Sequence, residues 1–312
     1  MFTNVDFWYT VLRCTTTVLF ATDAALIASR CGIINIGLEG TMSVAALFGV
    51  LGSGYTGGNL MVGLLCGLVA GTAYTMLLAW FVQHFKANPI ITGIALNLAA
   101  SGGTVFLMYT LTGDKNITNS LTSASFPTID LPGIQSIPVL GQMISGHNLL
   151  TYISLIATLS LYFVLKKTTF GIHVRSVGDA ENAARSVGLP VEKIRYMAFF
   201  ISGILASLGG MYLSMGYVNR FTAGMTAGRG YIALATQAMA AGNALLAMVS
   251  SWLYGFGSAV AIYLQNANVD PYLITIIPYA FIIVFYLLFS VYYRYKAKKL
   301  ASGKYRSTDS KN

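Results

Sequence analysis

Apolar stretches of about 20 residues recur along the whole chain, and they limit its possible folds more than any other feature. A helix of that length spans the hydrocarbon core of a bilayer and satisfies its own backbone hydrogen bonds there. Charged residues make up only 9% of the 312 residues, whereas soluble domains carry roughly a quarter. The sequence therefore predicts an all-α fold, a polytopic bundle of membrane helices.

The hydropathy pattern predicts about nine membrane-crossing segments, including broken helices, with boundaries placed to within several residues. These segments are 7–29, 32–51, 60–85, 89–111, 149–165, 196–215, 231–241, 245–264 and 272–291.

Lysine and arginine cluster in two hydrophilic segments, 166–195 and 294–312, and such an excess is typical of the cytoplasmic side. Two inside segments require an even number of crossings between them, so 231–264 crosses twice or forms a hairpin. The break is predicted at Ala241-Gly242-Asn243-Ala244, because glycine and asparagine weaken a helix.

The remaining loops follow from this orientation. The proline-bearing loop 112–148 is expected outside, as an irregular cap or docking surface, and so is the N-terminus. Arg13 does not fit this scheme, because a cation in the external half of a span is costly unless it reaches water or headgroups. We divide the chain into a transmembrane permease domain at 1–293 and a basic, partly disordered cytoplasmic tail at 294–312.

Several function classes are excluded by missing patterns. The chain has no GxxxxGK[ST] phosphate loop, no HExxH and no GxSxG, so neither an ATPase nor a hydrolase is indicated. Its three cysteines lack metal-ligand spacing and are interpreted as buried thiols. The net charge of the chain is +9, and the basic residues that produce it lie between apolar stretches and at the C-terminus. This distribution favours contact with anionic lipid over contact with nucleic acid.

Polar side chains interrupt the apolar stretches at two places. Asn35 and Glu39 lie four residues apart in one stretch, and Thr92 and Asn97 lie in another, which begins with Pro89. Intramembrane carboxylates and amides are costly and usually face a cavity or a partner. The residues alone leave open whether they line a substrate pathway or hydrogen-bond neighbouring helices.

The cytoplasmic stretch 178–190 predicts a short helix between two membrane spans. Asp179 is the expected N-cap, Gly188 can end the helix in a left-handed conformation, and Pro190 prevents its continuation. Such a helix can fill a groove in a partner protein, or it can be an amphipathic turn on the membrane surface.

A glycine-rich stretch at 221–235 leads into the broken pair of segments. Arg220 and Arg229 on its external side could contact acidic residues of a partner that delivers the solute, or could lie on a solvated rim.

Taken together and in this order, four motifs resemble the permease subunits of the ribose and nucleoside branch of the ABC importers. The motifs are NIGLEG at 35–40, NPIITGIALN at 88–97, VGDAENAARSVGL at 177–189 and MTAGRGYIALA at 225–235. The first and the last are most similar to those of nucleoside permeases. The resemblance covers roughly 15–290, and the conjunction of motifs is specific where each one alone would be weak.

This resemblance implies a type II, vitamin B12 importer-like permease fold in a bacterial plasma membrane. It implies a heterodimer with a second homologous permease, a cytoplasmic ATPase with two cassettes that holds ATP and magnesium, and a substrate-binding lipoprotein. No cofactor or metal is expected in this chain. The helix at 179–189 would be the coupling helix seated in the ATPase, with Gly178, Asp179, Glu181, Asn182, Ala183, Arg185 and Gly188 at the contact.

One place departs from the family's pattern. After Ala235 the usual small apolar run is replaced by Thr-Gln-Ala-Met-Ala-Ala-Gly-Asn, which puts Gln237 and Asn243 in the broken helix, against the ligand or the sister subunit. The expected substrate pathway therefore includes Asn35, Glu39, Thr92, Asn97, Gln237 and Asn243.

The expected function is ATP-driven import of nucleosides by alternating access. Import of ribose or another simple sugar is the alternative. An ion-coupled secondary transporter, with Asp23 and Glu39 as ion ligands, and an intramembrane enzyme are the rivals from other classes.

Overall fold

The computed structural model describes residues 5–130, 145–265, 270, 274–291 and 295. Eleven α-helices carry these parts of the chain, and a two-residue antiparallel pair of strands, β1 and β2, lies in the predicted external loop. The all-α, polytopic architecture expected from the sequence is confirmed. The bounds are α1 Val5–Arg30, α2 Leu38–Tyr55, α3 Leu60–His84, α4 Pro89–Thr112, β1 Thr128–Ile129, β2 His147–Asn148, α5 Leu149–Lys167, α6 Thr169–Asp179, α7 Glu181–Ser186, α8 Val191–Met211, α9 Arg229–Met239, α10 Ala244–Leu264 and α11 Ile274–Val291.

Among the described residues, seven helices are long and apolar enough to cross a membrane. They are α1, α3, α4, α5, α8 with its π-helical continuation Tyr212–Val218, α10 and α11. The predicted count of about nine agrees approximately, because the two other predicted segments correspond to α2 and α9. At 11 residues α9 is about 16 Å long, roughly half the thickness of a hydrocarbon core.

The helix α1 lies at the centre of the bundle, and 83% of its most apolar 18-residue window is buried. It packs on α8, α9, α10 and α5, while α2 packs on α3, α4 and α8. By contrast, α3, α4 and α5 expose large apolar side chains such as Leu65, Leu98 and Phe163. These outer helices therefore present their apolar faces to lipid or to another subunit.

The second predicted span begins later than expected. We predicted helix from residue 32, but residues 31–37, here called the α1–α2 segment, are not helical, and α2 starts at Leu38. Gly209 of α8 packs against both the Thr17 carbonyl, near the middle of α1, and the Met42 side chain. The first turns of α2 are therefore level with the middle of α1. Non-helical backbone at such depth requires protein partners for its polar groups.

The predicted break after α9 is confirmed at Ala240 to Asn243. Ala241 and Gly242 have φ angles of 47° and 78°, both in the left-handed region, so the helix cannot continue through them. The Asn243 side chain accepts a hydrogen bond of 3.1 Å from the Leu245 N–H and caps α10.

The stretch 178–190, predicted to be cytoplasmic, differs from the prediction in one detail. Asp179 is the last residue of α6, and the N-cap of α7 is Ala180, which has no side-chain cap, so the predicted N-cap role of Asp179 is wrong. The end of α7 is as predicted, because Gly188 follows it with φ of 81°. The helix α6, which the sequence did not indicate, brings Asp179 into helical conformation before the break.

The loop 113–130 packs on residues 219–223 at the outer end of the bundle, where Thr118 donates its N–H to the Phe221 carbonyl. Residues 131–144 of the predicted external loop, residues 272–273 of the last predicted span and the tail apart from residue 295 lie outside the described residues.

Candidate functional site

The candidate site is the place where α2 and α9 both begin inside the bundle. Glu39 lies in the first turn of α2. Its two carboxylate oxygens accept hydrogen bonds of 2.7 Å each from the backbone N–H groups of Gly228 and Gly230. Because the N-terminal ends of both helices carry partial positive charge, the carboxylate is stabilised by both of them.

Gly230 permits this approach. A Cβ atom at that position would lie 2.5 Å from the Glu39 nitrogen and 2.7 Å from its Cα. A side chain at residue 230 would therefore force the two helix ends apart. The second glycine of the MTAGRG motif therefore packs directly against the glutamate of NIGLEG.

Asn97 of α4 holds the end of the α1–α2 segment against α2. Its Oδ1 accepts a hydrogen bond of 2.8 Å from the Gly40 N–H, and its Nδ2 donates to the Ile36 carbonyl at 2.8 Å and to the Tyr231 hydroxyl at 2.9 Å. The amide thus supplies a partner to two backbone groups that the late start of α2 would leave unpaired. It also joins α4 to α9.

Asn35 holds the middle of the same segment. Its Nδ2 donates to the Ser202 Oγ at 3.1 Å, and Ser202 donates to the Ala24 carbonyl at 2.8 Å. Asn35 is 1% exposed, and its Oδ1 is buried without a hydrogen-bond partner. The segment is therefore fixed to both α8 and α1.

The opposite end of α9 is held by Arg30. Its Nε and Nη2 donate to the Gly242 carbonyl at 2.9 and 2.6 Å, just beyond the C-terminal end of the helix. A cation at this end and the Glu39 carboxylate at the other both complement the helix dipole. Gln237 adds a hydrogen bond of 2.9 Å from its Nε2 to the Ser29 Oγ.

Buried hydroxyl groups anchor the middle of α9. The Thr22 and Thr236 Oγ1 atoms are 2.6 Å apart, and Ser251 of α10 donates to Thr22 at 3.1 Å. The start of α9 is therefore bonded to α2, and its middle and its other end are bonded to α1.

The helix α7, which the sequence predicts on the cytoplasmic side, is connected to the α1–α2 segment. Arg195 of α8 donates from Nη2 to the Glu181 Oε2 at 2.8 Å and from Nε to the Cys31 carbonyl at 3.4 Å. Gly178 packs so closely on Arg30 that a Cβ there would lie 2.2 Å from the Arg30 carbonyl oxygen. A continuous series of contacts therefore runs from α7 through residues 30–39 to both ends of α9.

The helix α7 carries one acidic and one basic side chain, Glu181 and Arg185. Glu181 also accepts a hydrogen bond of 3.1 Å from Arg185, and the hydrogen bonds from Arg195 and then Arg185 lower the pKa of the Glu181 carboxyl below its usual 4.5. Asn182, Ala183 and Arg185 are exposed, as a docking surface requires.

The structure thus brings Asn35, Glu39 and Asn97 together around the start of α2, and it places Gln237 and Asn243 at the other end of α9. Thr92 is half-buried in the first turn of α4. The sequence reasoning did not include Arg30, Arg195, Gly230 and Tyr231 among the site residues. For Gly230, the signal was the pair of glycines on either side of Arg229.

Between α9 and α11 lies an open groove with about 680 Å³ of empty space, lined by Gly228, Tyr231, Ile232, Ala235, Tyr279, Ile282 and Ile283. Tyr231 is 45% exposed there, while its hydroxyl is bonded to Asn97. The groove is mainly apolar with two phenol groups, a composition that suits a planar, partly polar solute.

Comparison with known proteins gives the family. Residues 8–290 match the family described as branched-chain amino acid transport system / permease component. The guanosine ABC transporter permease protein NupQ of Bacillus subtilis (strain 168) is 35% identical over 189 residues, which cover 59% of each chain. The nucleoside ABC transporter permease protein NupC of Lactococcus lactis is 28% identical over 286 residues, 88% of this chain and 89% of the relative.

A sugar permease is also similar. The glucose ABC transporter permease protein TsgB13 of Haloferax volcanii is 28% identical over 211 residues, 64% of this chain and 54% of the relative. The chain thus spans less than two thirds of NupQ and of TsgB13, and most of NupC. It belongs to the family of the branched-chain amino acid transport system permease component and is an ABC transporter permease subunit, a multi-pass protein of the plasma membrane.

Proposed function

We propose that the chain is the permease subunit of an ATP-driven importer of nucleosides. The observation that carries this proposal is the series of contacts from α7, through Glu181, Arg195 and the α1–α2 segment, to the short helix α9. An importer powered by a separate ATPase needs such a connection, because the free energy enters at the cytoplasmic face and the solute moves inside the membrane.

The proposed partners are those that the family resemblance implies. We propose that a cytoplasmic ATPase with two cassettes binds the exposed face of α7, at Asn182, Ala183 and Arg185, with Gly178, Asp179, Glu181 and Gly188 shaping the helix ends. A second permease would pack against the exposed helices. A lipoprotein would deliver the solute to the outer loops.

In this proposal the predicted pathway residues mainly hold the helices in place and do not bind the solute. Asn35, Glu39 and Asn97 use their polar groups on backbone and side-chain partners within the bundle, so they hold α2 and α9 in place. The solute would pass along the exposed face of α9, where Tyr231 offers an aromatic surface to a nucleobase. Gln237 and Asn243 would set the inner end of that path, and Thr92 would flank it.

Guanosine and nucleoside permeases are among the relatives, and they support a nucleoside as the solute. A glucose permease is also similar, so transport of ribose or another simple sugar is the second candidate. A nucleoside has an aromatic base, and a free sugar does not. An apolar groove with two phenol groups would bind that base.

The test is uptake of labelled guanosine, ribose and glucose by cells expressing the chain together with its neighbouring transporter genes. We expect guanosine uptake that stops when ATP is depleted and that excess ribose or glucose does not inhibit. Uptake that continues on an ion gradient without ATP would contradict the ATP-driven mechanism. Uptake of sugar but not guanosine would instead assign the second candidate.

A further inference from the structure

A cavity with two arginine side chains in its wall lies in the half of the bundle opposite α7. It has a volume of about 160 Å³ and lies between α1, the π-helical segment 212–218 and the approach to α9. The lining residues used below are Arg13, Cys14, Tyr217, Met225 and Arg229. Arg13 lies about 25 Å along α1 from Arg30, so the cavity is in the external half of the membrane on the predicted orientation.

The hydrogen-bond donors of Arg13 are not all paired among the described residues. Its guanidinium lies over the Tyr217 ring at 4.6 Å from the ring centre. Its Nε atom is buried and has no hydrogen-bond partner among the described residues. Since a guanidinium carries five N–H donors in a fixed plane, part of its hydrogen-bonding capacity is left for a ligand.

Arg229 brings a second positive charge to the same cavity. Its Nη1 donates to the Met225 and Thr226 carbonyls at 3.1 and 3.2 Å, which are uncharged partners. The described residues that line the cavity include no aspartate or glutamate. Two partly enclosed cations with no carboxylate among the described residues of the cavity wall are unfavourable in a low-dielectric environment, and a bound anion would reduce that cost.

The backbone beside the cavity is also unusual. Residues Tyr212–Val218 are π-helical, a geometry that occurs frequently at functional sites, and they supply Tyr217 to the wall. This observation is independent of the arginines.

We propose that this cavity binds a phosphate group, held by the guanidinium groups of Arg13 and Arg229. Guanidinium forks match phosphate oxygens in pairs of hydrogen bonds. The phosphate could belong to an anionic phospholipid of the outer leaflet or to a small solute. The site is separate from the groove proposed for the transported solute, so it does not depend on the transport assignment.

Cys14 provides a reporter in the cavity wall. Replacing Cys31 and Cys66 by serine leaves Cys14 as the sole cysteine of the full chain. In phosphatidylcholine nanodiscs, we expect a sulfonate-bearing methanethiosulfonate to modify Cys14 about 10-fold faster than a trimethylammonium-bearing one. The variant Arg13→Gln should reduce this preference to about 3-fold or less, while Arg13→Lys should retain it.

A matched control is Lys115→Gln, which removes an exposed positive charge from the external loop outside the cavity and should leave the preference unchanged. Protection of Cys14 by inorganic phosphate would identify a soluble anion, and protection only by phosphatidylglycerol in the disc would identify a lipid headgroup. Equal rates for the two reagents, with protection by neither probe, would overturn the proposal.

If Cys14 reacts with neither reagent, the proposal is tested by the thermal unfolding midpoint instead. Phosphatidylglycerol or phosphate should raise the unfolding midpoint of the wild-type chain and not that of Arg13→Gln. Equal shifts in both chains would overturn the proposal.

Discussion

Arg30 and Glu39 hold opposite ends of the same short helix. The Arg30 guanidinium donates to the Gly242 carbonyl beyond the C-terminal end of α9, and the Glu39 carboxylate accepts from the Gly228 and Gly230 N–H groups at its start. Both residues flank the α1–α2 segment, which also contacts the helices next to α7. A displacement of this segment would therefore act on both ends of α9 at once.

The variant Glu39→Gln should weaken the start of α9. The amide can accept with one oxygen only and loses the charge, so we expect the free energy of unfolding in detergent to fall by about 1.5–3 kcal/mol. Guanosine uptake should fall as well. The control Glu192→Gln alters a carboxylate with 65% side-chain exposure on α8 and should change stability little. Equal losses in the two variants would contradict the role given to Glu39.

The variant Gly230→Ala should be strongly disruptive, because its Cβ would collide with the backbone of Glu39 at 2.5 Å. We expect a loss of about 1–3 kcal/mol in stability, measured by thermal unfolding in detergent. Gly102 in α4 has no atom within 4 Å of an added Cβ, so Gly102→Ala is the matched control. That control should be neutral or stabilising, since alanine favours helix. A tolerated Gly230→Ala would show that the helix ends are not in close contact.

Arg30→Gln and Glu39→Gln should be coupled although the two side chains contact opposite ends of α9. Releasing one end should reduce the effect of releasing the other, so the double variant should differ from additivity by more than about 0.5 kcal/mol in the free energy of unfolding. Additive effects would mean that the two contacts act independently.

The Glu181–Arg195 contact should depend on pH in a defined direction. The pKa of Glu181 is lowered by its arginine partners, so the contact contributes stability above the usual value of 4.5 and loses it as the pH falls through the lowered pKa. The difference in unfolding midpoint between wild type and Glu181→Gln should be constant near neutral pH and should disappear at acidic pH, once the pH has fallen through the lowered pKa. A difference that persists unchanged at such pH would contradict the ion pair.

Sequence alone was sufficient for the long helices and not for the contacts between them. The starts of α3, α4 and α5 coincide with predicted segments because Asn59, Asn88 and Asn148 cap them with local side-chain hydrogen bonds. The start of α2 was predicted too early. Residues such as Ile33 and Ile36 are apolar whether they are helical or not, and the groups that stabilise the non-helical segment come from α4 and α8.

The candidate site shows the same limit. Asn35, Glu39 and Asn97 stood out as polar groups in apolar stretches, but their partners lie far away in the chain. Gly230 and Arg30 acquire their roles only from the close approach of α2, α9 and α1, which no local spacing specifies.

The most direct test of the central claim compares ATP hydrolysis with guanosine uptake in proteoliposomes that contain the assembled transporter with Arg195→Gln. The contact between Glu181 and the Cys31 carbonyl passes through Arg195, so we expect hydrolysis to stay within about twofold of wild type while uptake falls about 10-fold or more. Uptake that falls only in proportion to hydrolysis, or does not fall, would contradict the connection from α7 to α9.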